Sequence, residues 1–151
     1  AHTRYLAVTR GHPVPAEGKL TTWMARDPHD SEKMAVFPGK TKETQKAITY
    51  FETLDQSGQF SLLGLEPLTG RTHQLRVHCA HMSVPILGDP KYFNVQNWDL
   101  PGGIQNRLHL HARRITVPHP AGGTLDVVAP LPPHIQQSVS VLGLEVPREK
   151  D

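Results

Sequence analysis

The segment from Leu68 to Tyr92 constrains the fold of this chain more than any other. Its sequence, LTGRTHQLRVHCAHMSVPILGDPKY, begins with a glycine turn at Gly70 and ends with a second one at Gly88. Two arginines and three histidines lie between the turns, in a stretch whose apolar residues have helical spacing. Cations beside the first N–H groups of a helix are suited to binding phosphate or orienting a carboxylate. The segment therefore predicts a short helix with a candidate anion site at its start.

The predicted helix runs from a cap at Thr72 to about Met82. Leu75 and Cys79 share one stripe with Met82, and this stripe is expected to face the core, with Arg76 on an adjoining face. Cys79 is the single cysteine, which excludes an internal disulfide. On an apolar stripe it is predicted to be a small core residue rather than a nucleophile.

The remainder of the chain has mostly strand patterns. Apolar and polar residues alternate in five segments, at 4–8, 48–54, 60–65, 112–117 and 124–129. The first of these has no preceding element to pair with, so an open sheet edge is expected there. A short helix is predicted from Pro132 to about Leu142.

Two segments are predicted to be irregular. Residues 17–44 carry Pro28, Pro38 and Gly39 among many charges, which predicts a long mobile loop that includes Trp23. Residues 94–103, with Trp98, are predicted to be an inserted surface loop.

Composition limits the classes of protein that this chain can represent. With 151 residues, of which 37% are hydrophobic and 20% charged, it can form one domain with one core. The net charge is only +2, so the basic signal is local, in residues 71–81 and 107–119. No apolar run of about 18 residues occurs, which argues against a membrane span or a secretion signal in this chain. The cytoplasm is the expected compartment.

The histidines do not have metal-ligand spacing. His73, His78 and His81 are five and three residues apart and therefore fan across a helix, and no cysteine pair accompanies them. We expect no metal. His73 and His111 are predicted to form buried structural hydrogen bonds, with the other histidines on a basic surface. Asp89 is predicted to accept local backbone N–H bonds in the Gly88 turn.

Several motifs together resemble the RluA family of ribosomal-RNA pseudouridine synthases. In chain order they are TGRTHQLRVH at 69–78, PILGDPKY at 85–92, LHARR at 110–114, His119-Pro120 and APL at 129–131. Tyr5 in RYLAV resembles the strand tyrosine of the family, and residues 26–35 resemble its basic loop. LPGGIQNRLHLHARR is most similar to the RluC-like branch, which acts on large-subunit rRNA. The resemblance spans essentially the whole chain.

The resemblance implies an α+β fold, with a mixed, largely antiparallel sheet and a few flanking helices. It also implies isomerisation of uridine to pseudouridine in ribosomal RNA without a cofactor. On the same basis, Arg76 pairs with the nucleophilic aspartate, Tyr5 stacks on the uracil and takes the C5 proton, and Leu110 forms an apolar wall. A guanidinium suits its role because it holds a carboxylate bidentately and stays charged when water is excluded.

One departure from the family pattern concerns the nucleophile. The family's aspartate lies in an HRLD-type motif before the strand tyrosine, and no such motif occurs here. We therefore interpret residues 1–151 as the C-terminal portion of a single catalytic domain that lacks its N-terminal portion and is inactive alone. The alternative is a non-catalytic RNA-binding or ribosome-assembly module that has lost the nucleophile. An HRLD-like motif in the upstream reading frame would favour the first interpretation.

Basic side chains from separate segments are candidates for contacts with ribosomal RNA. They are Arg26, Lys33, Arg71, Lys91, Arg107 and Arg113. For Arg71, contact with phosphate and bracing of the Gly70 turn remain equal alternatives. The target uridine is expected in a loop or bulge, because the base must leave any helix before it can rotate.

Overall fold

One seven-stranded antiparallel sheet forms the centre of the molecule in the computed structural model, which describes residues 2–93 and 99–149. Its strands are β1 (His2–Arg10), β2 (Glu17–Asp27), β3 (Asp30–Phe37), β4 (Gln45–Ser57), β5 (Phe60–Pro67), β6 (Leu110–Pro118) and β7 (Thr124–Val128). The helices are α1 (Gln74–His81) and α2 (Pro133–Leu142). The strand order is β3-β2-β4-β5-β1-β6-β7, and every neighbouring pair is antiparallel. The predicted α+β class is confirmed.

The first strand lies inside the sheet. Tyr5 of β1 is opposite Leu65 of β5 on one side and Ala112 of β6 on the other. The expected open edge at this strand is therefore wrong, because strands from much later in the sequence pair with both of its sides. The edges of the sheet are β3 and β7.

The prediction of a mobile loop at residues 17–44 is also wrong for most of that segment. β2 and β3 form an antiparallel hairpin there, with Pro28 at its tip. The charges lie largely on exposed positions, whereas Thr22, Met24 and Ala25 are buried. Trp23 therefore lies on a strand. The pattern was missed because only a few positions of the hairpin face the core.

The other predicted elements are confirmed; β4, β5 and β6 are somewhat longer than predicted, whereas β7 and α2 are each one residue shorter. β4 and β5 form a hairpin, β6 and β7 form another, and α2 follows. In the predicted surface loop, residues 94–98, including Trp98, lie outside the described residues, and 99–103 are irregular. No helix in the described part of the chain is long and apolar enough to cross a membrane.

A helix packs on each face of the sheet. α1 covers the face that presents Leu63 and Leu65, and its Leu75 and Cys79 are buried there, as the stripe predicts. The largest hydrophobic clusters on the two faces have no residue in common. On the other face, Ile135 and Val139 of α2 pack with Leu6, Val8 and Leu62. Burial of apolar side chains on both faces stabilises the sheet and holds α1 at a fixed position beside β4 and β5.

The second glycine turn packs tightly against the backbone ahead of β6. Leu87 N–H donates to the Val8 carbonyl at 3.0 Å, and His109 N–H donates to the Leu87 carbonyl at 2.9 Å. Gly88 has φ 76°. A Cβ on this residue would lie 1.9 Å from the carbonyl oxygen of Arg107. Glycine is therefore required here by both backbone conformation and space.

Candidate active site

A single buried side chain, that of Gln74, holds the glycine turn that leads into α1. Its Oε1 accepts hydrogen bonds from the Thr69 hydroxyl at 2.6 Å and from the Arg71 backbone N–H at 3.1 Å. Its Nε2 donates to the Ile48 carbonyl and to the Thr49 hydroxyl, both at 2.9 Å. Gln74 thereby fixes the turn against β4. Sequence analysis assigned it no role, although a glutamine at the start of an amphipathic helix is a signal that could have found it.

α1 begins at Gln74 and not directly after Thr72. His73 is at the N-cap position with left-handed backbone angles, φ 54° and ψ 22°, and no side chain caps the helix. The predicted Thr72 cap is therefore wrong. The physical reason is that the side chain of Gln74 and the backbone of Arg71 make the hydrogen bonds of this turn.

Tyr5, Arg76 and Leu110 line one cavity with a volume of about 260 Å³. Arg71 and His73 also line this cavity. The remaining lining residues are Pro67, Thr69, Gly70, Gln74 and Leu75. These residues belong to β1, the end of β5, the glycine turn with α1, and β6. Tyr5 and Leu110 also pack on the core beside α1. The structure thus brings together the three residues to which the resemblance assigns catalytic roles.

A larger depression, with a volume of about 500 Å³, is lined by Arg4, Tyr50, Glu52 and Gly64 among others. An ion pair of 3.0 Å joins Arg4 and Glu52 across it. None of the predicted site residues lines this depression, so the smaller cavity beside α1 is the candidate active site.

Arg76 forms a two-point ion pair with Asp89. Its Nε donates to one carboxylate oxygen at 2.9 Å and its Nη2 to the other at 2.7 Å. The Asp89 side chain is 0% exposed and that of Arg76 is 14% exposed. Asp89 also accepts the backbone N–H groups of Lys91 and Tyr92 in the turn that follows Gly88. The carboxylate therefore has two functions, one in the turn and one in orienting Arg76.

The electrostatics of the pair follow from its burial and its hydrogen bonds. Burial acts to raise the pKa of Asp89, but the hydrogen bonds from Arg76 and from the backbone of Lys91 outweigh it, and the net pKa is lowered. The hydrogen bond to Asp89 raises the pKa of Arg76, against the effect of burial. Both groups are consequently charged over the ordinary pH range.

Tyr92 connects the site to the β2–β3 hairpin. Its hydroxyl accepts the Met34 backbone N–H at 2.9 Å and lies 2.7 Å from His73 Nδ1. The Arg76 guanidinium carbon lies 5.1 Å from the centre of the Tyr92 ring. Burial, followed by the positive charge of Arg76, lowers the pKa of His73. A neutral His73 with its Nδ1 unprotonated can accept a hydrogen bond from the Tyr92 hydroxyl. Sequence analysis missed Tyr92 as a site residue.

The cations predicted to contact RNA lie at different distances from the pocket. Arg71 is at its wall and donates from Nε to the Lys46 carbonyl at 2.8 Å, so the bracing role is observed. Lys33 Nζ lies 5.6 Å from the ring centre of Tyr92. Lys91 Nζ is 3.3 Å from a carboxylate oxygen of the exposed Glu32. These three cations are on the side of the molecule that carries the pocket residues.

The other three predicted RNA contacts are more distant in structure. Arg26 is exposed on β2, and Arg107 is exposed before β6. Arg113 is half-buried on β6 and donates from Nη1 to the Ala129 carbonyl at 2.8 Å. None of the three lines the pocket.

The distribution of histidines differs from the prediction. His78 and His109 are buried at 1% and 0% exposure rather than on a basic surface. His78 makes hydrogen bonds of 2.8 Å to Thr22 and Thr49, and burial lowers its pKa to about 4. His73 and His111 are only half-buried, and His111 Nε2 lies 3.3 Å from the Ala129 carbonyl. The correction arises because the partners of His78 come from strands that are distant in sequence.

Cys79 and the remaining histidines give no sign of a second reactive site. Burial raises the pKa of the Cys79 thiol to about 12, and the side chain is fully buried, as predicted for a core residue. In residues 2–93 and 99–149, no three metal-type side chains lie close enough together to hold an ion.

The fold and the pocket together define an α+β protein with a candidate active site beside one short helix. The family described as RNA pseudouridylate synthase matches residues 1–81, and the chain belongs to this family. The prediction of an RluA-type pseudouridine synthase from the sequence motifs is confirmed.

Named relatives and solved structures agree with this membership. A ribosomal large subunit pseudouridine synthase D of Neisseria meningitidis is 38% identical over 150 residues, which cover 93% of this chain and 38% of that protein. An RNA pseudouridine synthase of Chloroflexus aurantiacus is 38% identical over 138 residues, covering 87% of this chain and 39% of that protein. The structure of human RNA pseudouridylate synthase domain containing 4 has a TM-score of 0.78 and 29% identity, covering 97% of this chain and 64% of that chain. The chain spans about two fifths of the length of these curated relatives.

Proposed function

We propose that residues 1–151 are the C-terminal portion of a single catalytic domain that converts uridine to pseudouridine in ribosomal RNA, most specifically that of the large subunit. The observation that carries the proposal is the shared pocket of Tyr5, Arg76 and Leu110. The printed names of relatives, ribosomal large subunit pseudouridine synthase D among them, support the choice of substrate. The nucleophilic aspartate comes from the N-terminal portion of the domain.

The reaction needs groups that hold a free base and guide one proton. The bond from N1 of the uracil to the ribose breaks, the base rotates, and a bond forms from C5 to the same ribose carbon. C5 then loses its proton and N1 gains one, so the reaction is an isomerisation that requires no cofactor. A closed pocket assists because it holds the detached base near the reacting carbon.

Arg76 is proposed to orient the nucleophilic carboxylate while it remains bound to Asp89. A guanidinium has five N–H donors. Asp89 occupies the edge formed by Nε and Nη2, and Nη1 makes no hydrogen bond to the described residues. The edge formed by Nη1 and Nη2 can therefore hold a second carboxylate. Asp89 is a positioning residue in this proposal.

Tyr5 is proposed to stack on the uracil and to take the C5 proton, with Leu110 as the apolar wall. Both side chains lie on the sheet face that packs against α1, and neither is fully buried. An aromatic ring and an aliphatic side chain on one cavity can hold a planar base by stacking and exclusion of water.

The RNA backbone is proposed to contact the six predicted cations, beginning with Arg71 at the pocket wall. Each phosphate neutralised on single-stranded RNA contributes a slope of about −0.7 to the dependence of log affinity on log salt. The proposal retains the RluC-like branch, the cytoplasmic location and the absence of a metal as predictions from the sequence.

Substitution of Arg76 in the full-length protein tests the function. We expect Arg76→Ala to reduce the rate of pseudouridine formation in ribosomal RNA by roughly 100-fold or more, and Arg76→Lys to recover only part of it, because lysine lacks the planar fork. Arg148→Ala, an exposed arginine outside the pocket, is the matched control. Unchanged turnover of Arg76→Ala would remove this residue from the mechanism. A full-length protein with no HRLD-like motif and no turnover would favour the non-catalytic RNA-binding module.

A further inference from the structure

We propose that the side chains of Trp23, Lys40, Lys46 and Arg71, here called the tryptophan cluster, bind a single-stranded segment of the substrate RNA outside the pocket. This inference rests on the proposed function. It adds a base-stacking ring to the predicted contacts and defines the path by which the RNA leaves the pocket.

Two lysines converge on one indole ring. Lys40 Nζ lies 5.9 Å and Lys46 Nζ 5.6 Å from the centre of the Trp23 ring. Lys40 comes from the connection between β3 and β4, and Lys46 lies on β4, so elements separate in sequence order meet at this ring. Both lysines are exposed and the ring is half-buried. Both ammonium groups lie over the ring, so a base that stacks on the indole displaces a lysine, which can then bind the phosphate of the same strand.

No carboxylate balances these charges in the part of the chain that the structure describes. The ion pairs of that part involve other cations, and none includes Lys40, Lys46 or Arg71. Like charges held close together repel, and an anion between them removes the repulsion. The cluster is therefore complementary to a ligand that combines negative charge with a planar ring.

Trp23 and Lys46 of this cluster lie on the sheet face opposite α1. Trp23 is directly across from Lys46 in the β2–β4 ladder, so the two side chains share a face. The next residue, Met24, is buried on the other face, where it packs in one cluster with Val77 of α1. Because side chains alternate along a strand, Trp23 points away from the helix side on which the pocket residues Tyr5 and Leu110 pack.

Arg71 joins the pocket to the cluster. It lines the cavity, and its Nε donates to the backbone carbonyl of Lys46 at 2.8 Å. An RNA strand whose uridine occupies the pocket can pass Arg71 and turn around the start of β4. It then reaches the ring of Trp23 on the opposite face. A phosphate at each cation and a base on the indole is the arrangement by which many proteins hold single-stranded nucleic acid.

Binding to a fluorescently labelled single-stranded RNA of about 12 nucleotides tests the cluster, with salt varied from about 50 to 200 mM. We expect Lys40→Ala with Lys46→Ala to reduce the magnitude of the log–log salt slope by about 1.4, which is about 0.7 for each phosphate contact. Trp23→Ala should weaken binding roughly 10-fold with little change in slope, because stacking is not ionic. Arg148→Ala is the control for loss of an exposed cation. The proposal would be overturned if the lysine double variant and Trp23→Ala both kept the salt slope and the RNA affinity of the parent protein.

Tryptophan fluorescence separates base stacking from phosphate binding. Residues 1–151 contain two tryptophans. In the full-length protein, Trp98 and any tryptophan outside this range are replaced by phenylalanine, so that Trp23 is the single emitter. Single-stranded RNA is expected to quench this emission, and inorganic polyphosphate is expected to leave it largely unchanged. Equal quenching by both would overturn the stacking role. Preferential binding to anionic vesicles or to an acidic peptide instead of RNA would overturn the choice of ligand.

The outcome is independent of the test of the pocket. If Arg76→Ala abolishes turnover while the cluster variants bind RNA like the parent, only the cluster proposal fails. If the cluster variants lose affinity while Arg76→Ala retains full turnover, the proposed function of the pocket fails and the RNA surface stands.

Discussion

Arg76 uses one edge of its guanidinium for a carboxylate that the protein already supplies. Asp89 contributes both oxygens and accepts two backbone N–H groups as well, so its position is set by the turn. A fixed and buried anion holds the cation in one orientation and reduces the rearrangement that catalysis would require. The arrangement explains how an arginine on a short helix can be aimed into a cavity.

Asp89→Asn removes the negative charge of this side chain but keeps its shape, so it tests the role of the charge. Removing one partner of a buried ion pair costs about 3–5 kcal/mol, and because asparagine keeps one acceptor we expect a loss of about 2–3 kcal/mol in the free energy of unfolding. In the full-length enzyme, kcat should fall more than KM changes, because Arg76 loses its orientation. Urea denaturation and steady-state kinetics measure the two effects.

The matched control is Glu32→Gln, which removes the ion pair between Lys91 and a glutamate whose side chain is 79% exposed. Exposed pairs contribute about 0–1 kcal/mol, so little change is expected. Equal stability losses in the two variants would contradict the special role of Asp89.

Single residues of the pocket were predictable only where the family motifs include them. Tyr5, Arg76 and Leu110 were identified by resemblance, and the cavity that joins them was not visible in the sequence. Gln74 and Tyr92 were missed because their roles depend on partners such as Ile48 and Met34, which are distant in the chain. Hydrogen bonds of this kind leave no periodic pattern.

At the scale of elements, the connection after α1 depends on one glycine. Gly88 lies where the chain crosses the backbone of Arg107 with no room for a side chain. This close approach keeps Asp89, the next residue, beneath α1. The turn is therefore part of the support for the pocket.

Gly88→Ala should destabilise the protein severely. The added Cβ would lie 1.9 Å from the Arg107 carbonyl oxygen, and the residue would also have to keep φ at 76°. We expect a loss of about 4 kcal/mol or more, because the clash involves backbone rather than a flexible side chain. Thermal denaturation and the yield of folded protein measure the effect. Gly39→Ala, where no atom lies within 4 Å, is the control and should retain parental stability.

Elements were predicted well where both periodicity and turn residues were clear. The β4–β5 and β6–β7 hairpins and α2 agree with the sequence because alternation and glycine or proline signals coincide there. The β2–β3 hairpin was missed because only three residues in 17–37 are buried, and Pro28 lies in a tight turn that was read as part of a long loop. Propensity could not reveal a strand that is stabilised chiefly by its neighbours.

For the molecule as a whole, a buried histidine links the helix to two strands. His78 of α1 is hydrogen-bonded to Thr22 of β2 and Thr49 of β4. Its pKa is lowered from 6.5 to about 4 by burial, followed by the charge of His81. The unfolded chain therefore takes up a proton at a higher pH than the folded protein does.

The free energy of unfolding should decrease as the pH falls from about 6.5 to about 4, since protons bind preferentially to the unfolded state in this window. The contribution of His78 is about 3 kcal/mol at the lower end. His78→Gln, which keeps hydrogen-bonding groups but does not titrate, should show a smaller decrease between pH 7.5 and 4.5 in urea denaturation. His29→Gln, at an exposed histidine in the turn between β2 and β3, is the control. Identical pH dependence in His78→Gln and the parent would contradict the assignment.

Tyr92 has a consequence for how the molecule responds to its ligand. One ring contacts the guanidinium of Arg76, while its hydroxyl is tied to the Met34 amide on an edge strand. We expect displacement of that edge strand to move the Tyr92 ring and, through it, the guanidinium of Arg76. One side chain thus couples the β2–β3 hairpin to the candidate active site.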